Sequence, residues 1–138
     1  MRGHPKEFMD ILQPSAWPQP KGYANGILAA GKMIFVSGQI GWNSTQQFEC
    51  DDLVDQVRQA LKNIVAVLDV AGAKPEHLVR LTWYITDKRE YQGRTQELGR
   101  AYQEVIGKHF PAMTLVEVSA LLEDRAKVEI EATAVLPA

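Results

Sequence analysis

From Asp51 to Ala71 the apolar residues Leu53, Val57, Leu61, Ile64 and Leu68 recur three or four positions apart, which lines one face of a helix. Asp51 or Asp52 stands where a carboxylate caps the first free amides, and Gly72 stands where such a helix closes. A second helix is predicted from Asp87 towards Lys108, with Leu98, Tyr102, Val105 and Ile106 as its apolar face. Asp87 and Glu90 have capping-box spacing at its start, and Pro111 stops it. The other apolar runs are short and rich in β-branched and aromatic residues. Phe8–Leu12, Ile27–Ala30, Met33–Ser37, Leu78–Thr86, Met113–Leu121 and Lys127–Leu136 are therefore predicted strands. Gly31-Lys32 reads as a hairpin turn between the second and third, and Glu123-Asp124-Arg125 as the turn before the last. Gln13–Gly22 holds three prolines and is neither helix nor central strand; Trp17 is expected to anchor it.

The order β-β-β-α-β-α-β-β predicts an α+β fold, a sheet of about six strands with two helices packed on one face. Along the last strand Val128, Ile130, Ala132 and Ala134 alternate with Lys127, Glu129, Glu131 and Thr133. The first set suits the helix-packed core. Met33-Ile34-Phe35-Val36 and Met113–Val118 are apolar on both sides, so the second sheet face also expects a cover. Another copy of the chain is the simplest cover, and a homo-oligomer is expected. A carboxylate on that face, above all Glu129, is either part of a Lys-Glu ladder or a general acid/base lining a cleft between subunits.

The 138 residues fit one domain spanning 1–138, and 46% apolar with 23% charged residues excludes a disordered chain. The formal net charge of −2 argues against nucleic acid as a partner. No stretch approaches a membrane span, and the single cysteine, Cys50, excludes an internal disulfide; a cytoplasmic protein is expected. His4, His77 and His109 are scattered without metal-ligand spacing, so no metal is expected. Cys50 precedes a helix start, where a thiolate is stabilised, but it has no base nearby in sequence.

Gly22-Tyr23, Val36-Ser37-Gly38-Gln39-Ile40, Gln59-x-x-x-Asn63-Ile64, Pro111-Ala112 and Val128-Glu129-Ile130-Glu131-Ala132 occur in an order that resembles the RidA (YjgF) family of imine and enamine deaminases. The resemblance runs from about Ile11 to Leu136. It implies a chorismate-mutase-like fold, a homotrimer with clefts between subunits, and hydrolysis of small imines without metal or organic cofactor. It implies Glu129 as the water-positioning catalytic residue, with Tyr23, Ser37, Gly38, Met113, Thr114 and Leu115 lining the cleft. Trp17 and Trp42 fall near its mouth. The family's active deaminases carry an arginine after Pro-Ala that grips the substrate carboxylate; this chain has Met113 there, which cannot make that contact. Gly99 replaces an asparagine of the second helix. The expected function is hydrolytic deamination of a small, non-carboxylate imine. The alternatives are a small-metabolite-binding trimer without turnover and, further off, an endoribonuclease or translation inhibitor.

Overall fold

The computed structural model describes residues 8–138. It contains strands β1 (Met9–Leu12), β2 (Gly26–Ala29), β3 (Lys32–Ile40), β4 (Leu78–Ile85), β5 (Ala112–Glu117) and β6 (Val128–Leu136), with helices α1 (Leu53–Val70), α2 (Lys88–Gln92) and α3 (Thr95–Val105). A 3-10 turn, Pro75–His77, leads into β4. The expected α+β order is present, and the six strands form two sheets. The main sheet has the order β3-β6-β4-β5, with β4 and β5 parallel and the other pairs antiparallel.

Two expectations change. Gly31-Lys32 is not a hairpin turn: β2 pairs with β1, and β3 pairs with β6. Gly31 has φ +148°, and a Cβ there would lie 2.0 Å from Leu136 O. The chain thus passes from one sheet to the other hard against the end of β6, through a backbone state that only glycine adopts easily. The long second helix is also broken. Gly93, costly inside a helix, ends α2, and Arg94 leaves the helical region at φ −132°. From there its guanidinium reaches Asp52 and Glu97. Asp87 caps α2 as expected, but Glu90 does not complete a capping box; it pairs with Lys127 at 3.2 Å.

The core lies between the helices and one face of the main sheet. Leu53, Val57, Leu61, Ile64 and Leu68 of α1 are all buried. They share one cluster with Val128, Ile130, Ala132 and Ala134 of β6 and with Leu81, Trp83 and Ile85 of β4. Each such large side chain contributes roughly 1.5–3 kcal/mol by leaving water. Asp52 supplies the α1 cap, accepting from Asp55 N at 3.2 Å, while Asp51 pairs with Arg125. On the opposite sheet face Phe35 is 72% exposed and Met33 60%. No helix among the described residues is long and apolar enough to cross a membrane.

Candidate functional site

The strand register divides the expected site residues between the two faces of the sheet. Glu129 is the Cα partner of Tyr84, and Tyr84 that of Val116. These residues, with Glu131, Thr82 and Thr114, lie on the face away from the helices. Leu81 pairs with Met113, and Trp83 with both Leu115 and Ile130. Met113 and Leu115 therefore share the helix side of the sheet with the core residue Trp83. Thr114 points away from its two neighbours.

On the open face, a bulge in β3 builds the surroundings of Glu129. Val36 opposes Ala132 and Gln39 opposes Ile130, so Ser37 and Gly38 together face one residue of β6. An added Cβ at Gly38 would lie 1.9 Å from Glu129 Oε2, so only glycine leaves room for the carboxylate there. Ser37 is exposed, and Gln39 Nε2 donates to its carbonyl oxygen at 3.1 Å. Beside Glu129, Tyr84 Oη donates to Glu131, and that bond is the main reason its phenol titrates above the ordinary value. Gly38 is thus packed directly against Glu129, with Ser37 beside it in the bulge.

On the helix side lies a cavity of about 610 Å³. Tyr23 at its mouth, Met113 and Leu115 belong to it. So do Trp83, Tyr91, Tyr102 and Phe110, which sequence reasoning did not assign to a site. Tyr102 stacks on Phe110 with ring centroids 5.5 Å apart, and its hydroxyl donates to His109 O at 2.6 Å. Burial holds the phenols of Tyr91 and Tyr102 above their usual range, so both act as aromatic walls and not as bases. Lys21 is the one cation lining the cavity among the described residues, and it is exposed to solvent.

The two expected tryptophans lie outside this cavity's lining. Trp17 is 57% exposed and does not anchor its loop by burial. Gln13 does so instead: its Nε2 donates to Pro18 O at 3.1 Å and its Oε1 accepts from Asn25 Nδ2 at 2.8 Å. Trp42 packs on Phe48, and its carbonyl accepts from Asn63 Nδ2 at 2.9 Å, so it belongs to the α1 connection. Cys50 is exposed, and partial desolvation with the nearby Asp55 charge raises its thiol, the reverse of nucleophile activation. His77 Nδ1 accepts from Lys74 N and His109 Nε2 lies 2.7 Å from Leu78 O, both backbone contacts; His4 is outside the described residues. No group of three or more His, Cys, Asp or Glu among the described residues could hold a metal.

The family described as endoribonuclease L-PSP matches residues 15–136. The chain belongs to that family. It is 35% identical to a RutC family protein of Pyrococcus horikoshii over 85% of this chain and 90% of that one. It is 33% identical to the 2-iminobutanoate/2-iminopropanoate deaminase of Salmonella typhimurium, over 82% of this chain and 86% of that one. Among solved structures, a Rid family protein of unknown function from Yersinia pestis superimposes with a TM-score of 0.83 at 26% identity, covering 94% of this chain and all of that one. Membership in the RidA (YjgF) group agrees with the ordered motifs of the sequence.

Proposed function

We propose that the chain hydrolyses a small imine or enamine without a carboxylate, at sites shared between copies of itself. The observation that carries this is the division of the site. Glu129 with Ser37 and Gly38 lies on one face of a packed sheet, and Tyr23, Met113 and Leu115 belong to a cavity on the other. One copy does not bring them together, so a site that uses both groups takes them from two copies. The family resemblance gives three copies, and the exposed Met33 and Phe35 supply apolar surface for such an assembly.

In the reaction an imine and one water give a ketone or aldehyde and ammonia. The Glu129 carboxylate accepts a hydrogen bond from the water and takes its proton as the oxygen bonds to the imine carbon. The C=N electron pair moves to nitrogen, which is protonated. That proton comes from Glu129, which is ionised again. A second proton from solvent turns the amine into a leaving ammonium. Glu129 takes the hydroxyl proton as the C–N bond breaks and the carbonyl forms, and it returns that proton to solvent. Met113 offers no charge to a substrate carboxylate. Lys21, a hydrated point charge at the exposed rim, lacks the rigid two-pronged grip of an arginine.

Ammonia release from enzymatically generated imines tests the reading. Neutral imines are expected to turn over, and Glu129→Gln to abolish turnover while the assembly persists. Freshly generated 2-aminoacrylate is expected to be a poor substrate, with Met113→Arg raising its rate. Fast wild-type turnover of 2-aminoacrylate that falls in Lys21→Ala would overturn the non-carboxylate preference. Binding without turnover of any imine would leave a metabolite-binding protein.

A further inference from the structure

The cavity on the helix side is far larger than a three- or four-carbon imine needs, and its volume of about 610 Å³ falls within the usual range for drug-sized ligands, roughly 300–1,000 Å³. Its walls are mostly aromatic: Tyr23, Trp83, Tyr91, Tyr102 and Phe110. Two further features point to an occupant. Trp83 is 5% exposed, and no protein group accepts a hydrogen bond from its buried Nε1. Its strand neighbours, Leu115 and Ile130, and the adjoining Leu81 and Ile85 are apolar, and Trp83 itself lines the cavity. The cavity is therefore the side from which an acceptor can reach Nε1 once the ring shifts out of its full burial. A buried donor left without an acceptor is costly, and a ligand that supplies one recovers that cost. The second feature is Gly99. It lies inside α3 and lines the cavity, yet a Cβ there would meet nothing within 4 Å. Alanine would fit and would favour the helix by about 1 kcal/mol. Gly99 is exposed, so what glycine leaves open at that position is the rim of the cavity.

We propose that this cavity takes a flat aromatic group bearing one hydrogen-bond acceptor, and that Trp83 Nε1 reads the acceptor. As a statement about substrate it rests on the imine-hydrolase reading: the substrate is then the imine of an aryl ketone or aldehyde. As a statement about binding it stands on the cavity alone.

The test uses the full chain with its tryptophan indoles labelled with nitrogen-15, Trp83→Phe assigning the Trp83 resonance. Acetophenone is expected to shift that resonance saturably. Ethylbenzene, the same ring without an acceptor, is expected to bind about three- to tenfold more weakly, the loss of one neutral hydrogen bond. Pyruvate is expected to leave the resonance unmoved. Gly99→Leu, which obstructs that rim from a position tolerant of a side chain, is expected to weaken acetophenone at least tenfold without lowering the melting temperature. No saturable shift with acetophenone, or equal binding of pyruvate at Trp83, overturns the proposal. Acetophenone binding without hydrolysis of any imine sinks the hydrolase reading and leaves the cavity's preference standing. Hydrolysis of small imines without aromatic binding does the reverse.

Discussion

At Gly38 one hydrogen atom decides whether a carboxylate fits. Glu129 Oε2 occupies the space where a Cβ would stand, 1.9 Å from it, and Glu129 Cδ is 2.7 Å away. Gly38→Ala must therefore push Glu129 out of its place. The expected result is a loss of turnover approaching that of Glu129→Gln, with a far smaller loss of stability, because the displaced side chain is half-buried at the edge of solvent. Imine hydrolysis measured beside a urea titration separates the two effects. Gln56 is the contrasting case. It is 1% exposed and satisfies three backbone groups: Nε2 donates to Cys50 O and Arg125 O, and Oε1 accepts from Lys127 N at 2.8 Å. Gln56→Leu keeps the volume and strands all three partners, each costing about 1–3 kcal/mol if it finds no water. The unfolding free energy from a urea titration is expected to fall by several kcal/mol. Neither residue carried this meaning in the sequence. Gly38 comes through the family motif, and nothing in the spacing of α1 singles out Gln56. Contacts to residues some seventy positions away are set by packing, and no local pattern encodes them.

Elements that depend on a local pattern were legible. The α1 stripe, an aspartate cap at Asp51 or Asp52 and the alternation of β6 all follow from spacing alone, and the structure selects Asp52. The break between α2 and α3 and the bulge in β3 were not, because each is fixed by a partner elsewhere: Arg94 by Asp52, and Ser37-Gly38 by Glu129. The Asp52–Arg94 contact ties the start of α1 to the start of α3 and yields a prediction about pH. The hydrogen bond from Arg94 is the main cause that holds the Asp52 carboxyl below its ordinary value of 3.8, with the Asp55 amide adding to it. A carboxyl depressed in the folded state binds its proton first in the unfolded chain. Its contribution is present in full above about pH 4 and disappears as pH falls through the lower folded value. Asp52→Asn keeps a capping side chain but removes that titration. Below pH 4 the stability difference between wild type and Asp52→Asn is expected to shrink. Asp52→Ala, which also removes the cap, costs about 1 kcal/mol more at neutral pH. Melting temperatures of the three proteins from pH 3 to 7 check both statements. A difference that grew on acidification would assign the depression to another carboxylate.

For the whole molecule, the division of the site between two sheet faces makes a prediction that no single-chain arrangement shares. Glu129→Gln removes the proposed water-positioning group and leaves the cavity; Gly99→Leu obstructs the cavity and leaves Glu129. Each variant alone carries one defective half at every site, so each alone is inactive. When the two are unfolded together and refolded as a mixture, a site forms from one half of each of two copies. In a closed ring every interface draws its two halves independently, so about a quarter of the interfaces join an intact Glu129 to an intact cavity. Activity is expected to rise from near zero to about a quarter of the wild-type value at equal mixing, and to fall off on either side of that ratio, since the fraction is a product of the two proportions. Mixing the folded variants without exchange should give nothing, which controls for additive residual activity. A chain whose Glu129 and cavity serve one site within the same copy would give no recovery at any ratio, even with subunit mixing confirmed by mass spectrometry. The dependence on mixing ratio therefore reports where the two halves come from, independently of the size of the assembly and of the identity of the imine used to read it.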